Sequence, residues 1–494
     1  MGAIVGIDLG TTFSAVAHLD ETGKAAIVHN KDGGNLTPSV VEFTDAENAS
    51  VGEEARQFMC DPNFSGAARF KRHMDGSKAY EIRGNSYSPT DLSAFVLRKL
   101  KDDTETQLGP IESAVITIPA NFSNVERDAT LAAAKSVGLN VLTLVNEPEA
   151  ATLCYALDKK NLSGTYAAYD LGGGTFDFSV VRINGFDIEV LGSNGVKRLG
   201  GDDFDAKLLE LVQARYKEQT GSVLGEGVFN QNDAEKLKIN LSKREDRNVI
   251  LGDESILITR TEFEEFISGL LAQSKLACEG LMSELNLQFS ELSDVFLVGG
   301  STRMPAVQNL VKQMLGKDAI STANPDEVVA RGAAFYAAHK SPAHNLTPLQ
   351  REKIDPVGYQ AVSHQFYGTI TWNEEKKDQN SILIKKGQKI PCSFTETFYT
   401  VSEGQTGLQI RITETSIDEN DPTYATILKE GRLELPPGRP AEQPIEVTFE
   451  IESDGILRGH WKDVESGRDT TIIVNLTDPG GAQPADPTKV FTVE

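Results

Sequence analysis

The chain has 494 residues, with 48 Lys and Arg against 72 Asp and Glu, so its formal net charge is −24 at pH 7. This length allows two to four domains, and the acidic balance weighs against binding of nucleic acid or of an anionic membrane surface. A hydrophobic share of 39% without any apolar run of about 18 residues predicts a soluble protein that no helix anchors in a membrane.

The four cysteines lie far apart, and none of them forms a CxxC or CxxH pair. A disulfide framework or a zinc site is therefore not expected. The N-terminus lacks the basic and apolar regions of a signal peptide. We therefore expect a reducing, cytoplasmic location.

A β-hairpin is predicted over residues 3–19, with Gly10, Thr11 and Thr12 in its turn directly after Asp8. Glycines let backbone N–H groups approach a phosphate closely. Hydroxyls can donate to phosphate oxygens, and a carboxylate suits hydrated Mg²⁺. The turn therefore predicts a phosphate site.

The same order of residue types recurs after a second apolar strand, where Asp170 and Asp177 flank a second turn. The residues of that turn are Gly172, Gly173, Gly174 and Thr175. An internal repeat of a phosphate-binding hairpin predicts two related lobes that face one nucleotide.

Between the hairpins, periodicity predicts a helix at 91–108, a strand at 114–118, a helix at 125–137 and a strand at 141–145. Glu147 follows the last of these strands. Functional groups gather at the carboxyl ends of strands in an open α/β sheet, and Asp8, Glu147 and Asp170 all occupy such positions. We expect these three carboxylates at one site.

From residue 200 to residue 290 the pattern is mainly helical. The predicted helices of the second half lie at 202–219, 232–243, 262–285, 305–315 and 326–339. A strand at 295–298 leads into a third glycine turn at Gly299 and Gly300.

The sequence changes character at Lys340. Residues 341–363 are polar and contain several prolines, so we predict a linker there. Beyond it apolar and polar residues alternate, and residues 364–478 are predicted to form an all-β domain. The tail at 479–494 is rich in Gly, Pro and Asp and is predicted to be loose.

Five motifs together resemble the seventy-kilodalton heat-shock chaperones, the DnaK-type family. They are Gly6–Thr12, Asn146–Pro148, Asp170–Asp177, Leu199–Asp205 and Val298–Pro305. The resemblance is dense over residues 3–338 and looser over 380–478. It implies an actin-like (ribonuclease H-like, duplicated) two-lobed α/β ATPase domain over residues 1–340, followed by a C-terminal β-sandwich that binds extended peptides.

The resemblance also implies roles for single residues. Asp8 and Asp170 would hold Mg²⁺ through water, and Asp177 would be a further cation ligand, with K⁺ as a second cation. Lys71 would orient the attacking water, and Glu147 would align it. ATP or ADP would be bound through Gly10, Thr11, Thr12, Gly172, Gly173, Gly174, Thr175, Gly200, Gly201, Glu235, Lys238, Ser242, Gly299, Gly300, Ser301, Arg303 and Asp326.

Without the resemblance, simpler interpretations stay open. Each glycine turn is also consistent with an ordinary tight turn, and Lys71 with a solvated surface charge. Glu147 is equally consistent with an acid in the first turn of a helix, stabilised by the helix dipole. Glu235 and Lys238 have the spacing of an exposed ion pair.

Pro119 and Arg127 match the proline switch of this family and its arginine partner. Two departures from the family pattern concern coupling between domains. The linker is polar where the family has a short apolar strip that transmits the ATP state, and Thr143 replaces an arginine that recruits J-domain partners. The sequence therefore leaves open whether the ATP state is coupled to the β domain and whether a J-domain protein stimulates the ATPase.

A helical lid needs on the order of 100 residues, and only 479–494 follow the predicted sandwich, so we expect no lid. Within the β domain, the residues that align with the peptide site of the family are Phe398, Val401, Leu408 and Ile410. These positions are equally consistent with plain sandwich core.

The leading hypothesis is a lidless ATP-dependent chaperone that hydrolyses ATP slowly, binds extended apolar segments of unfolded proteins and has a nucleotide-exchange factor as partner. The second hypothesis is an ATP-bound scaffold or co-chaperone whose β domain docks a protein partner. A sugar or acetate kinase on the same two-lobed fold is a weaker third, because the chain carries no acceptor-substrate motif.

Overall fold

A computed structural model provides the coordinates. The residues it describes are 2–59, 61, 63–158, 162–184, 187–225, 227–321, 324–354, 358–360, 362–363, 365–373, 375, 377–452, 455–476 and 485–493. They divide into two compact units. The first contains the described residues of 1–188, 193–358 and 483–494, and the second those of 189–192 and 359–482.

Among the described residues, the strands of the first part of the chain belong to three sheets, and this part also contains four α-helices. In order these elements are β1 (Ala3–Asp8), β2 (Phe13–Leu19), β3 (Ala25–Val28), β4 (Thr37–Pro38), β5 (Val40–Phe43), β6 (Asn48–Val51), α1 (Glu53–Phe58), β7 (Gly66–Ala68), β8 (Tyr80–Ile82), β9 (Asn85–Tyr87), α2 (Pro89–Leu108), β10 (Ile111–Ile118), α3 (Asn124–Ser136), β11 (Val141–Asn146) and α4 (Glu147–Asp158).

The middle of the chain is richer in helix. Its elements are β12 (Ser163–Leu171), β13 (Phe176–Asn184), β14 (Asp187–Val196), α5 (Gly201–Thr220), α6 (Gln231–Lys243), β15 (Asp246–Leu251), β16 (Glu254–Thr259), α7 (Arg260–Phe266), α8 (Ser268–Glu284), β17 (Asp294–Val298), α9 (Pro305–Leu315), α10 (Val328–Lys340) and α11 (Pro348–Ile354).

The remaining described elements are all strands, apart from short 3₁₀ turns. They are β18 (Gly358–Gln360), β19 (Phe366–Trp372), β20 (Asp378–Ile384), β21 (Cys392–Tyr399), β22 (Gly407–Thr415), β23 (Thr426–Glu434), β24 (Pro444–Ile451), β25 (Ile456–Asp463), β26 (Asp469–Asn475) and β27 (Thr492–Val493).

Two sheets in the first unit repeat one arrangement. In the first sheet, the antiparallel hairpin β1–β2 has β10 parallel to β1, and β11 parallel to β10. In the second sheet, the antiparallel hairpin β12–β13 has β17 parallel to β12. In each sheet the motif with Asp and glycines follows the first strand of the hairpin. The duplicated two-lobed α/β fold expected from the sequence is present.

Helix α10 lies against the first sheet with almost no side chain between them. A Cβ added to Gly6 in β1 would lie 2.1 Å from the backbone nitrogen of Ala334 in α10. On α10 itself, a Cβ added to Gly332 would lie 1.7 Å from the carbonyl oxygen of Ala150 in α4. The two helices therefore cross with backbone against backbone.

The second unit is a β-sandwich, as the period-two pattern predicts. One sheet has the order β20-β19-β22-β23 and the other β21-β24-β25-β26. Along β24, Ile445, Val447, Phe449 and Ile451 are all buried while the residues between them are half-buried or exposed. The alternation thus places one face of β24 in the core between the sheets.

Two predictions for the middle of the chain differ from the structure. The single helix expected over 262–285 is interrupted at Ile267, whose backbone leaves the helical region while its side chain is fully buried. The hairpin β15–β16 interrupts the region expected to be mainly helical. We attribute the break between α7 and α8 to burial of Ile267, because a continuous helix would point this side chain in a different direction.

The stretch predicted to be a linker is folded as far as Ile354. Helix α11 belongs to the first unit, and Leu346 and Ile354 are buried although most of their neighbours are polar. Gln350 Nε2 donates to the carbonyl oxygen of Leu19 at 3.0 Å. Residues 355–357 and 361 of this predicted linker lie outside the described residues, as does position 364 at the predicted start of the β domain.

The tail predicted to be loose also has structure where it is described. Residues 485–493 belong to the first unit, and β27 pairs in parallel with β6. Residues 479–484 and 494 lie outside the described part of the chain. No helix of the described residues has the length and apolar character required to cross a bilayer.

We predict that Gly332→Ala lowers the free energy of unfolding by about 3 kcal/mol, because the new methyl group must displace backbone of α4. The matched control is Gly269→Ala in α8, where a Cβ meets nothing within 4 Å. In a helix that change is expected to be neutral or to stabilise by up to about 1 kcal/mol. Denaturant unfolding of both variants measures the difference, and equal effects would refute the crossing.

Candidate functional site

The glycine turns of the two hairpins touch each other. A Cβ added to Gly173 would lie 1.8 Å from Thr12 Oγ1, and one added to Gly174 would lie 2.7 Å from Thr11 Cγ2. A side chain at either glycine would therefore displace the threonine of the other hairpin that lies opposite it. The repeat seen in the sequence brings two phosphate-type turns to one place.

The second turn is fixed by hydrogen bonds from elements behind it. At the start of α5, Gly201 N–H donates to the Gly172 carbonyl at 2.9 Å, and Asp202 N–H donates to the Gly173 carbonyl at 2.8 Å. Ser301 Oγ also donates to the Gly172 carbonyl, at 2.9 Å. With its carbonyls engaged from this side, the turn presents a fixed backbone to the cleft.

The two turns form part of the wall of a cavity of about 700 Å³. The residues proposed from the sequence that line it are Asp8, Gly10, Thr11, Thr12, Lys71, Glu147, Asp170, Gly172, Gly173, Thr175, Gly201, Glu235, Lys238, Ser242, Gly299, Gly300, Ser301, Arg303 and Asp326. The structure thus brings nearly all of the expected set together. Gly174, Gly200 and Asp177 lie behind this wall, where they pack the turns.

Three buried aspartates, two on the cavity wall and one behind it, have strongly raised pKa values. Burial, aided by the charge of Glu147, raises the pKa of Asp8 to about 7 and that of Asp170 well above its usual range. Burial likewise raises the pKa of Asp177 to about 8. Thr117 Oγ1 donates to Asp8 Oδ1 at 2.8 Å, which fixes that carboxylate at the end of β1.

These carboxylates fit a divalent cation. A bound cation would lower their pKa values and keep them ionised at neutral pH. Among the described residues, Asp177 Oδ1 and Thr12 Oγ1 are buried without a hydrogen-bond partner. The described residues contain no group of three or more His, Cys, Asp or Glu able to hold a metal ion directly.

Lys71 and Glu147 form a buried ion pair at the edge of the cavity. Lys71 Nζ lies 2.6 Å from Glu147 Oε1, and the Lys71 side chain is only 4% exposed. The ammonium group also lies 5.6 Å from the centre of the Phe122 ring. A solvated surface lysine does not fit this position, and Lys71 can present a donor to a group inside the cavity.

Ion pairs also involve Lys238, Arg303 and Asp326, three more of the residues expected to bind ATP or ADP. Lys238 Nζ lies 2.8 Å from Asp205 Oδ1, and Arg303 lies 2.9 Å from Asp326 Oδ2. Ser242 Oγ donates to the carbonyl of Lys238 at 2.9 Å, within α6. Lys238 thus pairs with Asp205 and not with Glu235, although Glu235 and Lys238 both line the cavity.

Sequence reasoning missed the partner of Glu235. Arg56 in α1 places Nη2 2.7 Å from Glu235 Oε2, and its guanidinium lies 4.8 Å from the centre of the Phe13 ring. Phe13 and Glu235 both line the cavity. Arg56 thus contacts both the first hairpin, through Phe13, and α6, through Glu235. The only signal in the sequence is an arginine in a short helix, which is too common to interpret.

Two further arginines, Arg69 and Arg72, form ion pairs with the start of α5. Arg69 Nε lies 2.5 Å from Asp202 Oδ1, and Arg72 lies 3.0 Å from Asp203 Oδ1. Both arginines flank Lys71 in sequence, while both aspartates are in the first turn of α5. The segment that carries Lys71 is therefore tied to the helix that supports the second glycine turn.

The predicted switch residues lie beside the cavity and not on its wall. Arg127 in α3 donates to Asn146 Oδ1 at 3.1 Å, and Asn146 in turn donates to Glu149 Oε1 at 2.7 Å. Pro119 directly follows β10. This network leads to the residue before Glu147, so a shift of α3 would act on the start of α4.

The four predicted peptide-site residues have different environments. Val401 is exposed, Phe398 and Leu408 are partly buried against the sandwich core, and Ile410 is buried within that core. Leu408 and Ile410 share the inward face of β22 because side chains two apart point the same way. Ile410 thus has no surface left for a peptide, whereas the other three do.

The family whose profile matches this sequence is described as Hsp70 protein, and the match covers residues 4–81 and 69–486. Chaperone protein DnaK of Thermotoga petrophila is 36% identical over 490 residues, covering 95% of this chain and 80% of the relative. DnaK of Thermotoga maritima gives the same values. DnaK of Thermosipho melanesiensis is 34% identical over 490 residues, covering 96% of this chain and 80% of its own.

We predict that Gly173→Ala weakens binding of a nucleotide in the cavity at least about 100-fold, because the methyl group would lie 1.8 Å from Thr12 Oγ1 and would displace Thr12 from its place between the two turns. Isothermal titration with MgADP measures the loss. Gly269→Ala, in the open part of α8, is the control and should bind like the unmodified protein. Normal affinity in Gly173→Ala would show that contact between the turns is not needed.

Proposed function

The chain belongs to the Hsp70 family, and from this premise we propose that it is a chaperone that binds and slowly hydrolyses ATP and binds extended apolar segments of unfolded proteins. The observation that carries the proposal is the meeting of two glycine turns beside a buried Lys71–Glu147 pair. The relatives' name, Chaperone protein DnaK, supports the same function.

The first step is capture of the triphosphate between the turns. The N–H of Gly10 already donates to Ser14 Oγ at 3.1 Å, and that of Gly172 to the Thr175 carbonyl at 3.3 Å. The other backbone N–H groups of the two turns would donate to the phosphate oxygens. The hydroxyls of Thr11, Thr12 and Thr175 can add donors. Asp8 and Asp170 would hold Mg²⁺ through water, and Mg²⁺ would offset the charge of the phosphates.

Hydrolysis needs a water molecule placed in line with the terminal phosphate. We propose that Lys71 donates to that water and to the phosphate, while Glu147 fixes the lysine and accepts a hydrogen bond from the water. Positioning and charge stabilisation supply most of the rate in phosphoryl transfer. The short Lys71–Glu147 distance supports this role, because it pre-sets the ammonium group before the substrate arrives.

The β-sandwich would supply the second function. Val401, Phe398 and Leu408 leave apolar surface beside the core, which suits short apolar segments. A nucleotide-exchange factor stays a proposed partner. We do not propose a J-domain partner, because Thr143 stands where the family has an arginine.

We predict that Lys71→Ala reduces the single-turnover rate of ATP hydrolysis by about 100-fold or more, since one positioned group commonly contributes 10²–10⁴-fold. Affinity for MgADP should change by less than about tenfold, because the lysine acts on the reacting end of the triphosphate. Lys78→Ala is the control, as Lys78 is an exposed lysine of the same segment. An unchanged rate in Lys71→Ala would refute the assignment.

A second candidate function is an ATP-bound scaffold whose β domain docks a protein partner. Two observations favour it: Ile410 lies in the core, and the stretch expected as a linker is partly fixed as α11. The two candidates differ in whether nucleotide and peptide binding are coupled.

For the chaperone we predict that ATP weakens the affinity for a fluorescent apolar heptapeptide at least fivefold, the lower end of ordinary allosteric coupling. Fluorescence anisotropy with Lys71→Ala, which keeps ATP intact during the titration, measures the effect. ADP is the matched control. Equal peptide affinity with and without ATP would favour the scaffold.

A further inference from the structure

Residues 485–493, here called the C-terminal strap, complete a small sheet of the first unit. This sheet has the order β27-β6-β5-β7. Thr492 and Val493 pair in parallel with Asn48 and Ala49, and Thr492 N–H donates to the Glu47 carbonyl at 2.7 Å. Without the strap, β6 would present unpaired backbone groups along an open edge.

An aromatic side chain fixes the strap to the core beneath this sheet. The Phe491 ring lies 5.3 Å from the Phe43 ring and 5.4 Å from the Phe95 ring, centre to centre, with both contacts edge-to-face. Phe43 stacks in turn on Tyr87 at 4.4 Å. Val493 also packs against this core. The strap is therefore an integral part of the packing.

The start of the strap is anchored as well. Asp486 Oδ2 lies 3.6 Å from Arg98 Nη1 on α2. Asp486 Oδ1 accepts from Thr488 N–H at 2.9 Å and from its hydroxyl at 2.6 Å, and Thr488 is buried. Val490, between these anchors and Phe491, points outward with 72% of its surface exposed. The strap therefore combines anchored residues with one outward-facing position, Val490.

The sheet that the strap completes carries the helix that reaches the cleft. Strand β6 ends at Val51, and α1 begins at Glu53 and packs on β5 and β6 with Ala55 buried. From α1, Arg56 pairs at 2.7 Å with Glu235, which lines the cavity. A continuous set of contacts therefore runs from Phe491 through β6 and α1 to the cleft.

We propose that the C-terminal strap is a positioning element of the nucleotide cleft, which fixes β6 and α1 so that Arg56 stays against Glu235 and slows release of the bound nucleotide. This inference rests on the proposed binding of ATP and ADP. In a purely structural role, the strap would stabilise the fold without changing the rate of nucleotide release. In the proposed role, the strap slows that release.

The test compares Phe491→Ala with Val490→Ala in the full chain. Release of a fluorescent ADP analogue by stopped flow is expected to be about fivefold faster in Phe491→Ala, the factor that one rim ion pair can supply. Val490→Ala should release at the normal rate. Hydrogen exchange should rise at residues 48–58 in Phe491→Ala and stay unchanged in the distant hairpin β15–β16.

A double variant tests the route. Arg56→Ala alone should also speed release, and adding Phe491→Ala to it should give no further change, because both act through one ion pair. Additive effects would overturn the route through Arg56. If Phe491→Ala does not fold, Phe491→Leu, which keeps apolar contact, should give a smaller increase in rate and in exchange.

Two failures can be told apart. If the unmodified protein binds nucleotide and Phe491→Ala releases it at the normal rate, the strap proposal is overturned and the proposed function stands. If the unmodified protein binds no ATP or ADP, the proposed function fails and the strap proposal fails with it. The exchange at residues 48–58 then still reports whether the strap holds β6 and α1.

Discussion

The approach of Gly173 to Thr12 is the contact on which the rest of the cleft depends. The space between these residues has no room for even one methyl group. Glycine loses more conformational entropy on folding than any other residue. Gly173 and Gly174 are therefore explained by the close contact that they allow and not by a gain in stability. Because the turns touch, a phosphate group bound beside this contact would lie within reach of both hairpins at once.

That geometry concentrates negative charge. Burial disfavours the ionised forms of Asp8, Asp170 and Asp177, and the positive charge of Lys71 offsets this only in part. Lys71 already pairs with Glu147. Such a site opposes stability until a cation and its ligand complete it. Strain of this kind is common where function requires it. The ion pairs of Arg69 and Arg72 with α5 supply compensating contacts at the rim.

Much of this could be predicted because it depends on short-range patterns. Strand periodicity followed by Asp and glycines located both hairpins, and the repeat of the motif predicted that Asp8 and Asp170 would line one cavity. The break at Ile267 could not be predicted, because it depends on which apolar residue the core receives. Arg56, α11 and β27 were missed for a related reason. Each is short or polar and is stabilised by partners distant in sequence, such as Glu235, Leu19 and Asn48.

The crossing of α10 over α4 has a mechanical consequence. Gly332 meets the carbonyl of Ala150 directly, and Gly6 meets the backbone at Ala334, so neither contact contains interlocking side chains. Interlocked side chains must change rotamer when two helices slide, which gives such motion a stepwise barrier. A contact of backbone against backbone presents no such barrier, so small sliding movements at these two points require no change of rotamer.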